Sequence, residues 1–250
     1  MKTEIRVVED GAALARAAAD EFEGRAAEAV AAGGAFRVVL SGGSTPRGLL
    51  SLLAGEPYRA RLPWGAIHFF WGDERPVPPD HPDSNYGMAR EALLSRVPVP
   101  PANVHRIPGE EEDAGAAAAA YERTLQGFFR LTGEERPRFD LVYLGLGPDG
   151  HTASLFPGTK ALHEERRLVV ANWVGKLYTQ RITLTAPVLN ASALVVFLVA
   201  GADKAVPLKA VLEGPREPDQ LPAQLIRPEG GRLVWLVDRP AAGRLGAERS

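Results

Sequence analysis

The chain has 250 residues, 45% of them hydrophobic, with a formal net charge of −2 and no cysteine. That length and apolar share suffice for a sizeable core in one large α/β domain or two small ones. Without cysteine there is no disulfide framework and no thiolate metal site; without a basic block nucleic acid is not an expected partner; and no apolar run approaches the ~18 residues of a membrane span. No secretory pattern opens the chain at Met1-Lys2-Thr3-Glu4, so a cytoplasmic protein is expected.

Residues 4–8 alternate as a strand, and Asp10 is suited to cap an alanine-rich helix that runs to about Ala32 and stops at Gly33-Gly34. Residues 36–40 form a short apolar run, hence a buried strand. Next comes Ser41-Gly42-Gly43-Ser44-Thr45-Pro46, with Thr45 as N-cap and Pro46 at the first helical position. A strand, a glycine loop and a helix start present free N–H groups and a positive dipole end to an anion. The hydroxyls of Ser41, Ser44 and Thr45 add donors. The Walker pattern is absent, which favours a monophosphate cradle over a triphosphate site; the alternative is a plain βα turn.

Residues 66–71 read as a third strand ending in Gly72-Asp73-Glu74-Arg75, either a solvated turn or a site. Prolines 76, 78, 79 and 82 stiffen the next loop, and Ser84 or Asn85 caps a helix to about Leu94. Residues 104–107 suggest a short strand, and 110–129 a helix with acidic residues in its first turn. Further strands are expected at 139–144, 168–174, 180–187, 194–200 and 233–237, with short helices at 187–191 and after Pro240. Arg181 stands at the opening of one of these strands. Lys204 stands at the opening of a helix, where a lysine opposes the dipole; that position suits phosphate binding better than a solvated surface charge.

Strands and helices alternate from end to end. The pattern predicts an α/β fold, a Rossmann-like mostly parallel sheet with helices on both faces. Residues 1–250 are expected to form one domain that binds a phosphorylated small molecule, with a small helical or hairpin excursion. In a parallel sheet the C-terminal strand ends share one edge, so segments 41–45, 73–75, 149–151, 181 and 203–204 are expected to meet in one crevice.

The chemistry is expected in the stretch from Leu144 to Gly158, where an apolar strand breaks into glycines and the first polar side chains are Asp149 and His151. Gly145, Gly147 and Gly150 spell G-x-G-x-x-G, but Pro148 has no N–H to offer a pyrophosphate. The next strand, 168–174, also lacks the acidic residue that a dinucleotide site requires. A carboxylate and an imidazole two residues apart read instead as an acid/base pair. His68 is expected in the core, and His81, His105 and His163 as structural or exposed. There is no H-E-x-x-H metal spacing and no G-x-S-x-G elbow. No cofactor and no metal are expected.

The stretch Gly145-Leu146-Gly147-Pro148-Asp149-Gly150-His151-Thr152-Ala153-Ser154-Leu155-Phe156-Pro157-Gly158 resembles the signature of the 6-phosphogluconolactonases, in a superfamily shared with glucosamine-6-phosphate deaminase. Asp73-Glu74-Arg75 followed by Ser84-Asn85 is similar to a second motif of that family. The resemblance implies hydrolysis of a phosphorylated sugar lactone, with His151 as general base and Asp149 orienting it. Arg75 would stabilise the oxyanion, while Ser41, Gly42, Gly43, Ser44, Thr45, Asp73, Arg181 and Lys204 would bind substrate and its phosphate. In the deaminases an acidic residue precedes the proline; here the order is Leu155-Phe156-Pro157, which points away from deamination. A sugar-phosphate sensor without turnover is the non-enzymatic alternative.

Overall fold

The computed structural model describes residues 3–246. Its strands are β1 (Thr3–Val8), β2 (Phe36–Leu40), β3 (Ile67–Trp71), β4 (Asp73–Glu74), β5 (Val104–His105), β6 (Leu141–Leu144), β7 (Val169–Val174), β8 (Thr179–Leu184), β9 (Leu194–Val199) and β10 (Arg232–Asp238). The α-helices are α1 (Gly11–Ala31), α2 (Ser44–Leu53), α3 (Tyr58–Arg61), α4 (Asn85–Ala89), α5 (Ala114–Phe129), α6 (Ala186–Asn190), α7 (Ala205–Glu213) and α8 (Arg239–Ala242).

Seven strands form a parallel sheet in the order β1-β10-β9-β6-β2-β3-β5. Its central strands are apolar on both faces, as parallel strands covered on both sides must be; all six residues of β9 are buried. The two faces can be told apart along β3. The Phe69 ring meets Phe22 of α1, and the next residue, Phe70, meets Phe128 and Phe129 of α5. Successive strand residues point to opposite faces, so α1 and α5 cover opposite sides of the sheet. Two buried tyrosines bolt these helices on. Tyr143 donates to the Ala18 carbonyl of α1 at 2.6 Å, and Tyr121 of α5 bonds both backbone groups of Trp71.

The expected excursion is a three-stranded antiparallel sheet, β4-β8-β7. The segments at 168–174 and 180–187 therefore do not join the parallel sheet. Alternation marks a strand, but not its partner. Only Gly72 separates β3 from β4, and Leu184 N–H closes onto the Gly72 carbonyl at 2.8 Å. The small sheet thus grows directly out of the C-terminal edge of the large one, and both share one apolar core.

Several boundaries differ from expectation for identifiable reasons. Helix α2 starts at Ser44, capped by Gly43 in the left-handed region at φ 104°, so Thr45 lies inside the first turn and caps nothing. Helix α5 starts at Ala114 because Asp113 accepts the Gly115 N–H. Glu110, expected inside that helix, pairs instead with Arg106. His105 is half-buried in the edge strand, with its Nε2 3.1 Å from Nδ1 of His68, and burial pushes it down to about 4.

Candidate active site

Four adjacent strands, β9-β6-β2-β3, end on one edge. The chain moves towards β3 from one of them and towards β9 from its neighbour, and the loops there part to leave a crevice. It is a cavity of about 430 Å³.

The loop after β6 is folded back on itself. Gly147 N–H donates to the His151 carbonyl at 2.8 Å and Gly150 N–H to the Gly147 carbonyl at 3.1 Å. The imidazole of His151 lies over Gly147 so closely that a Cβ there would sit 2.0 Å from Cε1 and Nδ1. No α-helix opens after Gly150, so the loop does not have the dinucleotide geometry. His151 Nδ1 lies 2.5 Å from Asp149 Oδ1, which holds the ring proton on Nδ1 and leaves the Nε2 lone pair free. The Phe156 ring stacks on the imidazole at 4.1 Å. Burial pushes His151 down to about 4; Asp73 raises it, while Lys204, Arg181 and Arg75 lower it further. At neutral pH the imidazole is therefore an uncharged base.

Asp73 and Glu74 point in different directions and have different work. Asp73 reaches the cavity wall. Its Oδ2 accepts from Ser154 Oγ at 2.6 Å, and Asn85 Nδ2 donates to its backbone carbonyl at 2.8 Å. Glu74 turns away and is buried. It accepts from the N–H groups of Arg75, Asn85 and Tyr86 and from Ser84 Oγ. Burial raises its pKa, and the three N–H groups pull it back. One carboxylate thus ties together the two ends of the proline-rich loop.

Three of the four cations that line the cavity were expected there, and they come from three elements. Arg75 follows β4, and its guanidinium donates to the Asp83 carbonyl. Arg181 comes from β8; burial lowers its pKa first, then the charge of Arg75. Lys204 precedes α7 and lies 3.3 Å from Asp203. Arg181 thus enters from the antiparallel sheet, and not after a parallel strand as expected.

Ser41, Gly42 and Gly43 lie on the cavity wall. Ser44 is exposed and Thr45 half-buried in the first turn of α2, and neither side chain is on the wall. Asp149 stands behind His151. The sequence reasoning missed Phe156, Ser154, Asn85 and Lys176 as wall residues. The first three lie within stretches already singled out, whereas Lys176 sits in a turn with no local signal. Gly42 accommodates Asn85, whose Oδ1 would be 1.8 Å from a Cβ there. Asn85 Oδ1 and Ser41 Oγ are buried without a hydrogen-bond partner among the described residues, and both residues line the cavity. Among the described residues no three His, Asp or Glu side chains gather as a metal site, and no helix is long and apolar enough to cross a membrane.

A doubly covered parallel sheet, with a small antiparallel sheet beside it and a cavity between them lined by an imidazole backed by a carboxylate and by four cations, defines an α/β enzyme. The family model described as "Glucosamine-6-phosphate isomerases/6-phosphogluconolactonase" matches residues 9–235, and the chain belongs to that family. A 6-phosphogluconolactonase of a Nostoc species is 42% identical over 245 residues, covering 98% of this chain and 99% of the relative. The human 6-phosphogluconolactonase is 43% identical over 239 residues, covering 93% and 88%. Among solved structures, a 6-phosphogluconolactonase from Trypanosoma brucei superposes with a TM-score of 0.83 at 30% identity, covering 98% of this chain and 99% of that one.

Proposed function

We propose that the chain hydrolyses 6-phospho-D-glucono-1,5-lactone to 6-phospho-D-gluconate in a cytoplasmic setting, with residues 1–250 acting as one catalytic unit. The observation that carries this reading is the uncharged His151 imidazole, locked by Asp149 and facing a cavity lined by four cations. The named relatives, similar over nearly their whole length, support it.

In this reading the 6-phosphate lies against Arg181, Lys204 and the Ser41–Gly43 turn, where the start of α2 adds free N–H groups. The N–H groups of Ser44 and Thr45 serve there, rather than their hydroxyls. Binding that remote group fixes the lactone carbonyl beside His151. Nε2 takes a proton from water as the oxygen attacks C1, and the carbonyl oxygen becomes an oxyanion. Arg75 is the cation for it, once its guanidinium leaves the Asp83 carbonyl. The intermediate then breaks its bond to the ring oxygen, which takes the proton back from Nε2–H. The new carboxylic acid ionises, so one proton is released per turnover. Asp73, fixed by Ser154 and Asn85, accepts hydrogen bonds from substrate hydroxyls.

Deamination would need an acid where Phe156 stands, and the stacked phenyl ring offers none. The deciding experiment follows acid release from freshly made lactone above the spontaneous rate, for wild type and His151→Ala, with glucosamine-6-phosphate as control. Acceleration by wild type alone supports the proposal. Ammonia release from the amino sugar, with the lactone untouched, would overturn it.

A further inference from the structure

Lys176 has no part in the mechanism above, yet its position is specific. It lies in the 3-10 turn Gly175–Leu177 between β7 and β8, at the tip of the antiparallel sheet. From there its ammonium reaches the loop after β6 and pairs with Asp149 Oδ2, while Asp149 Oδ1 holds His151 Nδ1. The Lys176 nitrogen also lies 4.9 Å from the Phe156 ring centroid, the ring that stacks on His151. Lys176 and His151 therefore share both neighbours. Asp149 Oδ2 is buried, with no hydrogen-bond donor besides this ammonium among the described residues.

We propose that Lys176 is a positioning residue for the reaction, holding Asp149 so that one carboxylate oxygen is committed to His151 Nδ1 and the imidazole stays an uncharged base. The inference rests on the hydrolytic reading. Oδ1 also accepts from the His151 backbone N–H at 3.2 Å, but with Oδ2 free the carboxylate can still swing about that contact, and the imidazole would swing with it. Pinning Oδ2 removes that freedom. The ammonium also offsets the carboxylate's charge, which would otherwise favour the imidazolium. The charged groups around His151 are Asp149 on its own loop, Asp73 on β4, Arg75 after β4, Arg181 on β8, Lys204 before α7 and Lys176. Removing Lys176 takes one cation from this set and leaves both carboxylates.

The competing readings are a solvated lysine, since the side chain is 48% exposed, and a direct contact with substrate. At a separation of ~6 Å and an effective dielectric of ~20, loss of the ammonium raises the imidazole by about two pH units; partial exposure reduces this to about one. Lys176→Met is therefore expected to move the acid limb of kcat/KM up by about one pH unit. It should lower kcat at least about tenfold and leave KM within about twofold. Lys176→Arg should restore both. An unmoved acid limb with kcat within twofold of wild type would make Lys176 a solvated charge. A rise in KM alone would make it a substrate contact; either result overturns the proposal.

The same shift is read without substrate by NMR titration of the His151 ring, assigned with His151→Gln. If wild type leaves the lactone untouched, the hydrolytic reading fails on that measurement. The ring titration then decides separately whether Lys176 governs His151: a raised ring pKa in Lys176→Met sustains that link, and an unchanged one refutes it.

Discussion

Replacing Gly147 by alanine would strike the base without touching it chemically. The new Cβ would stand 2.0 Å from Cε1 and Nδ1 of His151. Ordinary carbon contacts lie near 3.5 Å, so the ring must retreat by roughly 1.5 Å. Gly147 is not in the left-handed region, so its backbone accepts alanine, and the strain falls on one side chain. A side chain driven off its rotamer costs about 1 kcal/mol and loss of its bond to Asp149 about 1–3 kcal/mol more, which in a protein of this size lowers Tm by several degrees. Catalysis suffers far more. Displacing the ring breaks the 2.5 Å contact with Asp149 and moves Nε2 away from the water that it deprotonates in the proposed mechanism. A misplacement of ~1 Å costs on the order of 10²-fold in rate. Lactone hydrolysis followed by acid release should show kcat reduced about 100-fold and KM within a few-fold, with a Tm lower by several degrees and a cooperative melting curve. A folded Gly147→Ala enzyme with kcat within threefold of wild type would refute the assigned role of this imidazole.

Three further outcomes follow from the same geometry. Because His151 titrates at about 4 in the fold and near 6.5 when unfolded, the unfolded chain binds the proton first as pH falls. Stability is thus lost between pH 6.5 and 4, by roughly 3 kcal/mol in full; urea unfolding should show that His151→Gln flattens this dependence. Lys204→Ala should raise KM about 10- to 100-fold, the loss of one charge-assisted contact, with kcat changed by less than threefold; initial-rate kinetics will show whether kcat falls instead. Ser154→Ala removes the 2.6 Å donor to buried Asp73 Oδ2, a loss of ~1–3 kcal/mol. Calorimetry should record a Tm several degrees lower.

The parallel sheet was readable because its strands are short apolar runs with little else to become. The segments 36–40 and 194–199 are buried on both faces, and that pattern is visible in any window. The loop holding Asp149 and His151 was readable for a different reason: glycines directly after an apolar run mark where the strand ends and the chain turns, and the first polar side chains follow at once. The small sheet was hidden. Residues 169–174 and 179–184 read as strands, but nothing local says that they pair with each other and with Asp73–Glu74. Arg181 could therefore be named as a site residue but not traced to its sheet. Lys176 was invisible, because a lysine in an exposed turn looks the same whether or not a carboxylate waits across the fold. Thr45 misled for a related reason: it is a good cap by propensity, but the left-handed Gly43 ends the loop first and takes that place.

The clasp made by Glu74 has a practical consequence for protein engineering. Its carboxylate fastens the loop at Arg75 and again at Ser84, Asn85 and Tyr86, so the intervening stretch is a bight of chain whose neck is sewn shut. Lengthening such a bight adds little entropic cost, because closure entropy grows only with the logarithm of length. The exposed residues around Asp80 and His81 are therefore a natural splice point, where an affinity tag or a fluorescent module could be carried at the rim of the crevice while the neck keeps its stitching.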